Sequence, residues 1–384
     1  MADGDFASLK AAGTEALNAG RFGEAAERYE AAAKAAGNFD DRGAALSNAS
    51  LARLRGGDAD AALVAADGAA LARPDWAKAH FRRGEALHAL ERWGDAEAAY
   101  AKAAGLDPKD ASLAARRDLE AAAARGRPLV RQLAPGRDFA ITARAGNPVE
   151  QQVFGASGMM QNFVYVVACG RTRECAVVDG CWDVRGILQH AHSLGLKVSA
   201  AVATHHHFDH VGGKPPPPYD ALGITLPGAR DLAEGGVPVY AHELDAAVIR
   251  RLNGVPEEMM RPVKDGDTLD VGSTASLKFV HTPGHTPGSM VVHVADDDGA
   301  TEGGGSVLTG DTIFPGSCGR VDLEDSDASA MYDSLQRCRA AFCDQCRLYP
   351  GHAYGGPFTT VAKEKQNGLL RPMPKAQWMA MQGQ

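Results

Sequence analysis

The chain has 384 residues, 45% hydrophobic and 23% charged, which allows two or three domains with sizeable cores and forces no disorder. A formal net charge of -8 excludes a global basic footprint, so nucleic acid and membrane are poor partners. The acidic start has no basic or apolar leader, and no apolar run reaches membrane-spanning length, so a soluble, cytoplasmic protein is expected.

The Ala-rich residues 1–125 align with themselves in three helical pairs of roughly 34 residues. In the third, Ala77 to Pro108, Gly84 lets two helices approach, Ala96 fits the crossing, Tyr100 and Ala103 pack the second helix, and Pro108 closes the unit. The first copy repeats this with Gly13, Ala25, Tyr29 and Ala32, and the middle copy has Ser50, Ala62, Ala66 and Pro74. Asp110 to Arg125 reads as a polar cap helix over the exposed end. The pattern resembles a three-unit tetratricopeptide repeat domain. Within that family it is similar to co-chaperones whose cradle of Lys, Asn and Arg grips the C-terminal carboxylates of cytosolic heat-shock chaperones. The resemblance places Lys10, Asn48, Lys78 and Arg82 in such a cradle, with Thr14 where the family has a second Asn. Converging cations and amides can hold an acidic chain end by charge-assisted hydrogen bonds. The plainer alternative is that they are solvated helix residues.

Gly and Pro at 126–138 predict a linker, with a catalytic domain over 139–384. Asn162 to Ala168 and Cys175 to Asp179 read as strands, Val184 to Leu196 as an amphipathic helix, and Val198 to Ala203 as a strand, which together predict a layered α/β architecture. Pro215–Pro218 must be loop. Asp296 to Gly305 reads as a surface hairpin insertion. The seven cysteines are odd in number and scattered, so reduced thiols are expected. Cys343-Asp-Gln-Cys346 invites a redox or zinc reading, against the plain one of a helix end with two thiols.

Thr204-His205-His206-His207-Phe208-Asp209-His210 crowds four candidate ligands, His205, His207, Asp209 and His210, onto one strand end. Neutral imidazole and carboxylate suit zinc or iron, and without a metal their crowding would cost desolvation. Further on come His281-Thr-Pro-Gly-His285-Thr-Pro-Gly288, Leu308-Thr-Gly-Asp311 and Leu348-Tyr-Pro-Gly-His352, each with a turn beside a His or Asp. These motifs resemble the metallo-β-lactamase superfamily over roughly 139 to 372. The resemblance implies an αββα sandwich with His205, His207 and His285 on one metal, Asp209, His210 and His352 on the other, and Asp311 bridging. His206 and His281 match no ligand position. Two divalent metal ions are implied, zinc first, with iron or manganese as alternatives.

Thr309 to Arg320 and Tyr349-Pro-Gly-His-Ala-Tyr354 are most similar to the glyoxalase II group, which hydrolyses acyl-glutathione thioesters. A small-molecule thioester is therefore the expected substrate, attacked by metal-bound hydroxide. Asp209 and Asp311 orient metals and hydroxide, and Arg320 and Tyr354 are candidate substrate contacts. About thirty residues follow His352, too few for the C-terminal helical domain of the longer glyoxalase II enzymes. Cys318-Gly-Arg-Val-Asp322 and Glu364-Lys-Gln-Asn367 also resemble glutathione persulfide dioxygenases, which use one iron on the positions matching His205, His285 and Asp311. A third alternative is a non-catalytic chaperone adaptor.

Overall fold

Short helices joined by tight turns run through the first unit of the chain: α1 Phe6–Asn18, α2 Phe22–Ala35, α3 Phe39–Arg55, α4 Ala59–Ala72, α5 Ala77–Ala89, α6 Trp93–Leu106 and α7 Ala111–Arg125. The computed structural model describes residues 5–217, 220, 223–295 and 304–383. It divides into one unit ending at Gly126 and a second beginning at Arg127. Asp5, Asn38, Asp58 and Asp110 start their helices by accepting first-turn backbone N–H groups, which satisfies donors that the helix itself leaves free. The repeat is visible in packing. A Cβ on Gly13 would lie 2.9 Å from the Tyr29 ring, and one on Gly84 2.7 Å from the Tyr100 ring, so in both hairpins the missing side chain lets an aromatic ring seat against the backbone. Ala25 and Ala96 are fully buried at the corresponding crossings. In the middle hairpin Ala62 is likewise fully buried, and the glycine position is taken by Ser50, buried and without a hydrogen-bond partner. The expected helical repeat region is thus present.

In the second unit the 126–138 segment, expected as linker, carries strand β1, Pro128–Leu133. This corrects the boundary. Gly126 and Pro135-Gly136 punctuate the two ends of an edge strand, and proline is tolerated at a strand's first residue. β1 pairs antiparallel with β2, Val164–Cys169, along its whole length. Between them lies α8, Pro148–Met160, capped by Asn147. There follow β3 Glu174–Val178, α9 Val184–Ser193, β4 Lys197–Val202, α10 Phe208–Val211, α11 Ala229–Glu234, β5 Val239–His242, α12 Glu243–Asn253 and β6 Met260–Val263. A second run comprises β7 Thr268–Val271, β8 Ala275–His281, β9 Met290–Ala295, β10 Gly305–Gly310, α13 Ala328–Ala341, β11 Arg347–Pro350, β12 Thr359–Thr360, α14 Val361–Asn367 and α15 Lys375–Met381.

The strands form two six-stranded sheets, ordered β1-β2-β3-β4-β5-β6 and β12-β11-β10-β9-β8-β7. Tyr165, Val167, Val178 and Val202 of the first pack against Leu277, Phe279, Val292 and Leu308 of the second, giving the dry centre of a sandwich. α9, α11 and α12 cover the outer face of the first sheet through Val184, Leu232 and Ile249. α13, α14 and α15 cover the second through Met331, Val361 and Trp378. The layers are α, β, β and α, as the resemblance implied. Pro215 to Pro217 lie outside helix and strand, and Pro218 lies outside the described residues. β9 and β10 pair antiparallel, and residues 296–303 of the expected insertion also lie outside the described residues. No helix among those described is long and apolar enough to cross a membrane.

Candidate metal centre

Strand ends deliver the site. The chain leaves β4 at Val202 and presents Thr204 to His210; the β8–β9 turn carries His285; β10 ends beside Asp311; and β11 ends two residues before His352. Convergence of strand ends at one edge is where layered folds commonly place chemistry. All seven residues expected as ligands meet there. His205, His207 and His285 form one group, Asp209, His210 and His352 another, and Asp311 joins His205 and His210, with donor atoms of each group within 4.8 Å of one another. Asp311 lies 3.3 Å from His210 Nε2, 3.4 Å from His285 Nε2 and 3.5 Å from His352 Nε2, central to both groups.

The imidazoles are fixed in orientation by their second nitrogens. His285 Nδ1 is 2.8 Å from the Arg320 carbonyl and His352 Nδ1 2.7 Å from the Met160 carbonyl at the end of α8. His210 Nδ1 is 3.0 Å from Asp179 Oδ2, and His205 Nδ1 is 3.1 Å from Thr204 Oγ1. Each of these four therefore turns Nε2 toward the cluster, the arrangement that metal-binding histidines use. His205 Nε2 and His285 Nε2 are buried and make no hydrogen bond. A buried unpaired nitrogen is costly, and a divalent cation would engage both lone pairs, so the residues present fit a metal.

The electrostatics agree. Burial, reinforced by neighbouring imidazoles, pushes His205 well below the usual histidine range and His207 down to about 4, favouring the neutral ligand form. Burial also opposes charge on His352, but the Asp311 and Asp209 carboxylates outweigh it and hold this imidazole up at about 9. Asp209 and Asp311 are held low against burial, Asp209 first by His210 and Asp311 first by His352. The cluster of carboxylates and imidazoles thus calls for positive charge at its centre.

Three positioning residues were not singled out from the sequence. Asp179, at the end of β3, accepts from Thr204 N, Thr204 Oγ1 and His210. Asn162 donates to Asp209 at 3.1 Å and accepts from Trp182 Nε1. Asp245, in the first turn of α12, accepts from His206 N, Thr286 Oγ1 and Gly288 N and lies 3.0 Å from His206 Nδ1, so it ties the two ligand loops together. An acid ending a Val-Val strand was a readable cue for Asp179; nothing local marks Asp245. His206 faces Asp245 and Asp325, away from the ligand sets of the seven, although with His207 and Asp325 it forms a further, partly exposed group. His281 contacts the Pro287 carbonyl.

Of the expected substrate contacts, Tyr354 is exposed and stacks on His352 with ring centroids 4.6 Å apart. The Arg320 guanidinium is exposed and paired bidentately with Asp322, at 2.9 and 3.0 Å. On the helical unit, Lys10, Asn48 and the Lys78–Arg82 pair come from α1, α3 and α5, the first helices of the three hairpins. Lys78 and Arg82 stand one turn apart on α5, and partial burial, followed by the Arg82 charge, holds Lys78 below the usual lysine range. Arg82 is also bonded to Glu85 at 2.5 Å. Thr14 Oγ1 is turned to the Lys10 carbonyl and Tyr29 Oη, both at 3.0 Å.

The sequence profile described as Metallo-beta-lactamase superfamily matches residues 157–215 and 232–352. The chain is 31% identical over 215 residues to hydroxyacylglutathione hydrolase of Rhodospirillum rubrum, covering 56% of this chain and 71% of that protein. It is 28% identical over 197 residues to the probable polyketide biosynthesis zinc-dependent hydrolase BaeB of Bacillus velezensis, covering 51% and 75%. Mouse mitochondrial persulfide dioxygenase ETHE1 is 28% identical over 245 residues, covering 62% and 80%.

Proposed function

The chain belongs to the metallo-beta-lactamase superfamily, and from this premise we propose that it hydrolyses a thioester such as an acyl-glutathione with two bound divalent metals. The observation that carries the reading is the pair of complete ligand groups on either side of Asp311. His205, His207 and His285 would hold one ion, Asp209, His210 and His352 the other, and Asp311 would reach both. Bound there, the ions would supply a water activated near neutral pH and Lewis acidity toward a substrate carbonyl. Asp209 and Asp311 orient the centre, Asn162 fixes Asp209, and Asp179 fixes His210. Tyr354, beside His352, can donate to a peptide-like substrate carbonyl, and Arg320 can pair with a substrate carboxylate on leaving Asp322. The name of the Rhodospirillum relative supports the acyl-glutathione class, and that of the Bacillus relative supports zinc.

Elemental analysis of freshly purified protein tests this. About two metals per chain are expected, falling toward one in Asp209→Ala together with loss of thioester hydrolysis. A second reading, a mononuclear iron persulfide dioxygenase, draws on the mouse relative and on His205, His285 and Asp311 as a two-histidine, one-carboxylate set. About one iron per chain, unaffected by Asp209→Ala, would replace the hydrolase with it.

The helical unit is proposed to hold the acidic C-terminal tail of a cytosolic chaperone through Lys10, Asn48, Lys78 and Arg82. The one-turn spacing of Lys78 and Arg82 on α5 supports this. Replacing both with Ala is expected to abolish binding of an acidic tail peptide in calorimetry while leaving hydrolysis intact. Unchanged peptide binding would sink the clamp.

A further inference from the structure

Away from the metal centre, the Cys343-Asp344-Gln345-Cys346 segment connects α13 to β11. Cys346 N donates to the Cys343 carbonyl at 3.1 Å, closing a β-turn. Such a turn keeps its end Cα atoms within about 7 Å, close to the span a disulfide bridges. The two sulfurs are already 3.5 Å apart, and side-chain rotation would bring them to the bonded separation of about 2.05 Å. The turn is fastened in this shape from outside, because Val361 N and Ala362 N of α14 donate to the Cys346 and Asp344 carbonyls.

The two thiols differ in environment. Cys346 is buried among Leu348, Val361 and Phe342, whereas Cys343 is partly exposed. Burial and the neighbouring thiol push Cys346 up to about 12, so Cys343 is the better attacking group and Cys346 the resolving one. A structural zinc reading finds no support: neither cysteine joins a group of three candidate ligands among the described residues.

We propose that Cys343 and Cys346 form a redox-active dithiol that exchanges with low-molecular-weight disulfides. The Cys343 thiolate attacks one sulfur of the small disulfide, forming a mixed disulfide and releasing one thiol. Cys346 then loses its proton and attacks Cys343 Sγ, releasing the second thiol. Two protein thiols and one disulfide become one protein disulfide and two small thiols, with both electrons passing to the small molecule.

The test equilibrates the full, reduced chain in glutathione buffers of rising disulfide fraction, blocks remaining thiols, and maps the peptides by mass spectrometry. The expected result is a peptide spanning 343–346 that is two hydrogens lighter and unblocked, appearing before any other cysteine is oxidised. Cys343→Ser should lose this product, and Cys346→Ser should accumulate glutathione on Cys343. Should burial make Cys346→Ser fold poorly, the wild-type map still decides. Both cysteines blocked at every ratio, glutathione retained on Cys343 without closure in the wild type, or a bond from either cysteine to a third, would each overturn the proposal.

Discussion

In the helical unit the same contact recurs, a tyrosine ring against a glycine at Gly13–Tyr29 and again at Gly84–Tyr100. In the α/β unit each ligand loop is held by a contact that occurs once: Asp179 for His210, the Met160 carbonyl for His352, and Asp245 for the loops around His206 and Thr286. Repetition spreads stability over equivalent hairpins that each contact mainly their neighbours. A converging site concentrates it. The difference teaches that one substitution should weaken the helical unit by degrees but disable the metal centre as a whole.

Asp245→Ala presses this contrast hardest. The carboxylate is almost fully buried and joins four groups of two ligand loops. Its loss leaves the backbone N–H groups of His206 and Gly288 without their acceptor, at a cost of about 1–3 kcal/mol for each group left unsatisfied. Chemical denaturation of metal-free protein should show that loss in the second unit, and metal analysis should show fewer ions per chain although no expected ligand was touched. Normal metal content and an unchanged midpoint would mean that the loops hold themselves, and the contrast would fail.

How much of this was readable in the chain follows the same division. Gly84, Tyr100 and Ala96 announced their packing because the pattern recurs at Gly13, Tyr29 and Ala25, and recurrence is a local signal. The seven ligands were readable because metal chemistry restricts residue type and the Gly and Pro turns mark strand ends. Asp245 and Asn162 were not, since their partners Thr286 and Asp209 lie 41 and 47 positions away and only the closed sandwich brings them together. The 126–138 boundary misled for a related reason: Gly126 and Pro135 punctuate a strand as readily as a linker, and β1 is recognised as a strand only through β2.

Gly84→Ala should have an intermediate effect. The new Cβ meets the Tyr100 ring at 2.7 Å, and such overpacking costs about 1–3 kcal/mol, against about 1 kcal/mol gained in helix propensity. A net loss of up to about 2 kcal/mol is expected in the melting of the helical unit, with metal content unchanged, and Gly13→Ala should do nearly the same. Unequal losses would show that the hairpins are less equivalent than their shared contact implies.

Arg320→Ala should have the smallest effect on the fold, and it separates side chain from backbone at one residue. The carbonyl that orients His285 survives the substitution. The guanidinium's pair with Asp322 is exposed and solvent-screened, so it contributes little to stability. Stability and metal content should therefore stay close to wild type. If the guanidinium leaves Asp322 for a substrate carboxylate, KM for an acyl-glutathione should rise about tenfold, the worth of one charge-assisted bond, with kcat little changed. A KM that does not move would return Arg320 to the role of backbone support for His285, while a fall in metal content would show that the side chain shapes the very turn whose carbonyl fixes that ligand.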